Sequence, residues 1–571
     1  MPTKQILNLG TGGVSYDTSK VLLPENVFSD VRNVRFKNQS VGTITGEELY
    51  ANIVNYPNYG IFWRRPEGFY NVFLRDDYIV VVDATAARDT LVGLTWQLAV
   101  INTTLVCATA PAWSCAEFTD LVADNVVNTY SEAQLVLSQG ESNESGSADT
   151  SSPYSLRQWQ STTFNGGYAL VINDGVRTPK YVSYTTPISS FAFADIPGWN
   201  YLAGYTTSTK VIRPLGYSLV AANLTITQTS TGNVTYAPST VRISDQAAPG
   251  GFPTNWQPGT PTSDTADEFE LNTTSPILDM AELRGSMFIY AEDSINMLSI
   301  NTGITRVQPY STSFGILNTD CVVEFEGNHF VVDRNDIYTH NGSGNITSIA
   351  TDFVREYLFN NLSYANQNKV FVKKDSYNRE IWVCYPKGDN LTCNEALIYN
   401  YRNKAWTVRD LPNITYMFNT TKVEPFLEIP EKNSMIMLTG LQVALDTSND
   451  FNMYNTSTST FSPINSYITK EKLNTGDLFN SMHITSLNPV FDQVPEDDTI
   501  NITVIGQNTF TEEVNWNAPD NLYVFEPSNL RSQGYKVDPR ITGRFLSYKI
   551  QSTSPWRLAL IGIDISPKDR R

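Results

Sequence analysis

Histidine is nearly missing from this chain: His329, His340 and His483 are all that 571 residues contain. So small a supply of groups titrating near neutrality argues against acid–base catalysis built on imidazole. No G-x-S-x-G, H-E-x-x-H or Walker loop occurs, which removes the signatures of serine hydrolases, zinc proteases and P-loop enzymes. Cysteine is scarce as well, with Cys107, Cys115, Cys321, Cys384 and Cys393 and no zinc-type spacing among them. They read as reduced, mostly buried thiols; Cys384 and Cys393 flank the turn Lys387-Gly388-Asp389-Asn390, and whether they pair across it is open. No apolar run reaches 18 residues: the uncharged stretch 90–116 is broken by Thr95, Gln97, Asn102, Thr103 and Thr104. No membrane insertion is therefore expected, and no secretory leader pattern is visible at the amino terminus.

Charge is sparse and one-sided. Charged residues make up 17%, and 58 Asp and Glu against 40 Lys and Arg leave a net charge of −18. That balance disfavours tight phosphate binding, which needs clustered cations. Its plain meaning is solubility; its sharper meaning is a wall that repels DNA and lets it slide.

What the chain has in quantity is Thr, Asn, Ser and Val, with Tyr 30, Phe 27 and Trp 10. Branched and aromatic side chains suit a pleated, half-buried surface, so the expected class is all-β. Phe69–Leu74 leads into Tyr78–Val82, and Gly167–Ile172 runs into the hairpin signal Asn173-Asp174-Gly175. Similar strand starts near Gly285, Gly327, Arg379 and Asn433 are separated by 42, 52 and 54 residues. Four-stranded propeller blades have that spacing, and radial stacking leaves only short, protected edges. The expected architecture is a propeller-like body of short antiparallel sheets with an inserted β subdomain and a carboxy-terminal β-sandwich.

The expected boundaries are an amino-terminal segment with the first propeller strands at 1–97 and an insertion with a flexible polar loop at 98–157. Propeller strands follow at 158–185, an inserted β subdomain with long loops at 186–280, and the remaining blades at 281–460. The sandwich and a basic tail occupy 461–571. Strict alternation in Ile500-Asn501-Ile502-Thr503-Val504 and Leu546-Ser547-Tyr548-Lys549-Ile550 marks half-buried strands. One short helix is expected, with Phe353, Tyr357, Leu358 and Leu362 on a face and Thr351 or Asp352 as N-cap.

Candidate chemical sites are few. Asp333-Arg334-Asn335-Asp336 lacks the Gly and Glu of a calcium loop and reads as a hairpin turn. Ser244–Trp256 loosely resembles a sialidase Asp-box, but Asp245 and Gly251 stand too far apart, and Arg177, Arg213, Arg242 and Arg284 cannot be gathered into one pocket from sequence. Paired carboxylates for glycoside hydrolysis are not identifiable, and His329 and His340 read as structural. No enzyme activity, metal or cofactor is expected. The alternative kept open is an extracellular carbohydrate-binding or carbohydrate-active propeller, suggested by the aromatic and Asn/Thr-rich loops.

Five segments carry a family likeness. Leu22-Leu23-Pro24-Glu25-Asn26-Val27-Phe28-Ser29-Asp30-Val31-Arg32-Asn33-Val34-Arg35-Phe36 follows the turn Gly10-Thr11-Gly12-Gly13, whose glycines are free to take positive φ. Arg284–Ile295, Gly327–Gly342 and Gly543–Leu558 follow in order, with Ser244–Trp256 before them. Together they resemble tail nozzle (tail tubular or hub) proteins of short-tailed bacteriophages. The resemblance implies a structural virion protein of the tail, assembled in the host cytoplasm. It would form a homo-hexameric ring below the portal and adaptor, channel double-stranded DNA during ejection, retain packaged DNA and support tail fibres or spikes. No small-molecule substrate is implied. Within that reading Gly140, Glu141, Asn143 and Glu144 lie in a loop expected to dock fibres or gate the channel. Lys568, Arg570 and Arg571 are expected either to pair with acidic surfaces of the adaptor or a neighbouring subunit, or to end as a frayed terminus.

Overall fold

The computed structural model describes residues 3–53, 59–66, 68–74, 79–83, 95–96, 133–136, 159–185, 193–259, 265–301, 304–422, 432–439, 443–447, 451–474, 481–494, 499–516, 522–525 and 536–567. Seven sheets follow one another around an axis, antiparallel except where Thr95–Trp96 runs parallel to Asn52–Ile53. Blade 1 is Tyr59–Arg65, Gly68–Leu74, Ile79–Asp83 and Ala133–Val136. Blade 2 is Gln160–Phe164, Ala169–Asn173, Lys180–Ser183 and Ala194–Asp195. Blade 3 is Tyr205–Leu215, Ser218–Gln228, Val234–Ile243 and Asp267–Glu270. Blade 4 is Ile277–Leu283, Ser286–Ala291, Ile295–Asn301 and Ile304–Ser311. Blade 5 is Val322–Phe325, Asn328–Val332, Ile337–His340 and Ile346–Ser348. Blade 6 is Phe371–Asp375, Glu380–Tyr385, Cys393–Asn400 and Ala405–Ile414.

Blade 7 takes three strands from late in the chain, Tyr416–Lys422, Lys432–Leu438 and Val443–Thr447, and its fourth, Glu47–Ile53, from the beginning. The first strand of each blade touches the first strand of the next, and blade 7 touches blade 1, so the ring is closed. The strand starts picked out by spacing are the second strands of blades 4 to 7. Tight turns feed two of them: Arg284-Gly285 and Glu326-Gly327 have both residues at positive φ, as two-residue hairpins with right-handed strand twist demand.

A two-sheet sandwich stands beside the ring. One sheet orders Val34–Lys37, Ser40–Thr43, Arg557–Pro567, Met482–Gln493 and Ile541–Gly543, with Thr3–Ile6 also on Arg557–Pro567. The other orders Asp30–Arg32, Ser466–Asn474, Phe545–Ser552, Ile500–Gln507 and Leu522–Phe525. The sandwich is thus built from both ends of the chain, with four strands from the amino-terminal 43 residues. Periodicity identifies a half-buried strand but not its partner, which is why sequence placed this body at the carboxy terminus alone.

Three local expectations change. Residues 186–280 do carry long loops, yet their strands belong to the same ring: Ala194–Asp195 ends blade 2, the next four strands form blade 3 and Ile277–Leu283 opens blade 4; strands of ten and eleven residues break the short-strand rhythm. The helix spans Arg355–Asn361 but is not capped by Thr351 or Asp352. Asp17 does that work from far away in sequence, accepting from the amides of Glu356 (3.0 Å) and Tyr357 (3.2 Å). Of the three early glycines only Gly13 has positive φ. Gly12 is needed for space, since a Cβ there would lie 1.8 Å from the Asn26 carbonyl oxygen.

Candidate functional site

Seven blades converge on the axis of the ring. At one end each blade sends in a polar side chain from, or just before, its first strand: Tyr59, Ser161, Arg213, Asp279, Asp320, Lys373 and Tyr416 in blade order. They bond to one another. Arg213 Nη2 reaches Asp279 Oδ1 at 3.0 Å and Asp320 Oδ1 at 3.7 Å. Lys373 Nζ lies 3.8 Å from Asp320 and donates to the Tyr416 hydroxyl at 2.5 Å. Tyr416 donates to Asp320 Oδ2 at 3.3 Å and stacks on Tyr59 with ring centroids 4.3 Å apart. Tyr59 in turn accepts from the Ser161 amide at 3.1 Å.

Two cations and two carboxylates make this girdle neutral. Burial raises the Asp279 carboxyl in spite of Arg213 beside it, and burial lowers the Lys373 ammonium against the pull of Asp320. For Arg213 burial acts downward but Asp279 and Asp320 outweigh it, so the guanidinium is held charged. Tyr59 is pushed up to about 12 by burial. Contacts of this length across the axis leave no bore for a duplex. The arrangement holds seven blades in register and offers no free nucleophile.

A second polar seam fixes the amino-terminal strands to blade 6. Arg35 grips Glu380 with two parallel bonds, Nε to Oε1 at 2.6 Å and Nη2 to Oε2 at 3.1 Å. Arg32 Nη1 bonds Glu395 and lies 3.1 Å from Asp410 Oδ1, while Asn33 donates to Asp410 Oδ2 at 2.9 Å. Glu395 also accepts from Tyr385, Tyr357 (2.9 Å) and Lys387 (2.9 Å). Burial would raise this carboxyl, but Arg32 with the tyrosine and lysine donors brings it below the usual range. Deeper still, Arg409 bonds Glu47 on the strand that closes the ring, and both side chains are buried.

Blades 4 and 5 meet through a neutral contact. Tyr290 Oη lies 2.6 Å from His329 Nδ1 and 2.7 Å from His340 Nε2. The Glu282 carbonyl, 3.1 Å from His329 Nε2, can only accept, so that nitrogen carries the proton. Tyr290 then donates to His329 Nδ1 and accepts from His340 Nε2. Burial lowers His329 to about 4 and His340 to about 3, the latter with help from His329. Both histidines are buried between the blades. In the sandwich, Lys470 is buried with its ammonium facing the carbonyls of Pro24 (2.5 Å), Val27 (2.6 Å) and Leu23 (3.4 Å), and burial pulls it to about 7. This lysine ties down the segment Leu22–Phe36.

Other expected positions separate. Arg177 pairs with Asp174, Arg242 with Glu268, and Arg284 sits on a turn, so only Arg213 reaches the axis. Asp245 clasps its loop by accepting from the amides of Thr254 and Asn255, both at 3.1 Å, and Trp256 packs edge-on to Trp199 beneath it. Asp333–Asp336 is a turn closed by a 2.9 Å backbone bond. Cys321, Cys384 and Cys393 are buried free thiols. Gly140, Glu141, Asn143, Glu144, Lys568, Arg570 and Arg571 all lie outside the described residues, as do Cys107 and Cys115. Sequence reasoning missed the girdle, since each member is an ordinary polar residue on or beside a strand.

At the far end of the same first strands, blades 6, 7 and 1 enclose a cavity of about 160 Å³ lined by Phe62, Asp375, Ser376, Asn419, Ser434 and others. Ser434 Oγ is buried there without a hydrogen-bond partner. No protein-family model matches the chain, and no curated protein matches it either. Among solved structures, Sqt1 of Saccharomyces cerevisiae matches 71% of this chain and 99% of its own, at 7% identity and TM-score 0.34. Raptor of Chaetomium thermophilum matches 73% of this chain over 31% of its own, at 10% identity and TM-score 0.35. The extracellular domain of a putative hybrid two-component system, BT4673, from B. thetaiotaomicron matches 90% of this chain over 59% of its own, at 9% identity and TM-score 0.36. Likeness this distant brings no function to the chain.

Proposed function

We propose that this protein is a structural component of a short-tailed phage tail: a nozzle subunit that assembles as a hexameric ring, channels DNA and supports fibres. One observation carries the reading. Four of the five segments that bear the likeness, far apart in sequence, share one hydrophobic core. Phe28, Val31 and Phe36 come from the first, Leu283, Phe288, Tyr290 and Ile295 from around the second, Phe330, Val331 and Tyr338 from the third, and Leu546, Tyr548 and Leu558 from the last. Segments resembling one family would be expected to form one physical unit. Ser244–Trp256 stands apart, with Trp256 in a separate core beside Trp199.

In this reading the propeller axis is a rivet and the DNA path lies between copies. The −18 charge of each copy then lines that path with carboxylates, which do not hold phosphate. The test is the mass of the purified protein by light scattering together with negative-stain images. Rings of six, alone or on adding the tail adaptor, are expected; a monomer under both conditions overturns the reading.

The cavity beside Phe62 favours a second reading, a carbohydrate-binding propeller. A flat aromatic face, the Asp375 carboxylate, the Asn419 amide and an unsatisfied Ser434 hydroxyl suit one hydroxylated ring. Calorimetric titration with monosaccharides checks it, and heat that disappears in Ser434→Ala and Phe62→Ala is the expected signature.

A further inference from the structure

Blade 3 is two structures in one. Its inner half is an ordinary blade: Val211–Leu215 pairs with Ser218–Ala222, the latter with Val241–Ile243, and Thr240–Ile243 with Asp267–Glu270. At Asn223, whose φ is 60°, a bulge breaks the register. The Asn223 side chain donates to the Ile277 carbonyl of blade 4 at 2.8 Å and fixes the bend. Beyond it three strands continue without the fourth, as Tyr205–Thr209, Leu224–Gln228 and Val234–Ala237.

The register assigns the faces of this extension. Leu224 pairs with Ala237, and that face turns into the core of Trp199 and Trp256. Thr225 pairs with Tyr236 and Thr227 with Val234, so these four side chains share the opposite face. Tyr236 is 76% exposed and Val234 is 45% exposed. Past Thr240 the outer edge of the third strand has no neighbouring strand among the described residues.

Unpaired edges carrying β-branched and aromatic residues are ordinarily guarded by lysine, glutamate or a bulge. Here no charged residue occurs between 214 and 241, and Pro238 with the bulge at 238–240 is the only guard on the edge, leaving Val234–Ala237 beyond it uncharged. A basic partner would seek carboxylates, and a phosphate-bearing one would seek cations; this surface offers neither. Two copies of a chain carrying −18 repel each other wherever charge meets charge, and an uncharged face is where they can approach. We infer that the extension of blade 3, centred on Thr225, Thr227, Val234 and Tyr236, is the surface on which a second copy of this chain docks. The inference rests on the ring reading above and names the contact that builds it; in a closed ring the extension of each copy meets a different surface on the next.

The experiment compares the full chain with Val234→Glu/Tyr236→Glu by sedimentation over a concentration series, with Thr227→Lys as a second variant on the same face. All three positions are partly or largely exposed, and circular dichroism checks that each variant is folded. The expected result is a loss of association of about tenfold or more in either variant. Association of the wild type should strengthen between about 50 mM and about 500 mM NaCl, as screening removes repulsion that an uncharged contact does not share. Hydrogen exchange within 224–238 should slow on assembly. If folded variants assemble at the wild-type concentration, the docking surface is wrong and the ring reading survives. If the wild type stays monomeric at every concentration and salt level, with and without the tail adaptor, both fall together.

Discussion

Where the amino-terminal strands cross blade 6, three arginine–carboxylate pairs lie within the protein: Arg32 with Glu395, Arg35 with Glu380 and Arg409 with Glu47. One of the buried polar contacts between blades 4 and 5 is the neutral string His329–Tyr290–His340. The charged seam joins parts hundreds of residues apart in sequence, and the neutral one joins adjacent blades. A buried ion pair adds little net stability against an apolar substitute, yet breaking it is expensive, so it punishes the wrong partner more than it rewards the right one. A neutral string lets go more gently, and it answers to acid. The contrast belongs to these two contacts; at the axis, neighbouring blades are joined by charge as well, through Arg213, Asp279, Asp320 and Lys373.

The strongest way to break the comparison is Glu47→Ala. It strands the Arg409 guanidinium in the interior, and a loss of about 3–5 kcal/mol is expected, read as a shift of the denaturation midpoint. Glu47→Leu with Arg409→Met should recover most of that loss; no recovery would mean the pair is worth more than its address. Tyr290→Phe removes the hydroxyl that both histidines use, and the expected loss is smaller, about 1–3 kcal/mol.

The two seams should also separate by pH. His329 and His340 fall from 6.5 to about 4 and about 3 on folding. Below 6.5 the unfolded chain therefore takes up protons that the folded one refuses. Stability is full above that pH and falls, by up to about 1.4 kcal/mol per pH unit per histidine, until the folded values are reached. In the charged seam Glu395 is lowered, so its contribution holds until acid reaches the carboxylate range; burial raises Glu47 and Glu380, which respond in the opposite sense. Between pH 7 and pH 5, hydrogen exchange corrected for intrinsic rate should quicken in 286–291 and 328–340 while 393–414 changes little. Equal quickening in both would erase the distinction. The smallest effect expected is at the periphery. Lys20→Ala removes a half-exposed pair with Glu471, and its cost should be within about 1 kcal/mol.

Much of the ring could be read in advance, because a propeller repeats itself locally. Arg284-Gly285 and Glu326-Gly327 announce tight turns by residue type, and the strands beside them alternate or run apolar. What pairs at a distance could not be read. Val41 lies opposite Leu558, and Leu445 opposite Leu49; the pattern of either strand alone is satisfied by many partners. The helix was legible from its apolar spacing, but its cap belongs to Asp17, which no local rule would nominate. The girdle was illegible for the same reason. Arg213, Asp279, Asp320 and Lys373 become a group only once four separate blades have been set around an axis.

Closure of blade 7 has a consequence for how the protein is made. Glu47–Ile53 leaves the ribosome early, yet the strand it pairs with, Val443–Thr447, is translated some 400 residues later. At about 5–20 residues per second, that is a wait of roughly 20 to 80 s with one hydrogen-bonding edge bare. Thr3–Ile6 waits longer, for the final strand Arg557–Pro567. Nascent chains should therefore lean on cellular holdases until Arg557–Pro567 has emerged, and a stop codon before Arg557 would leave Thr3–Ile6 without its partner strand.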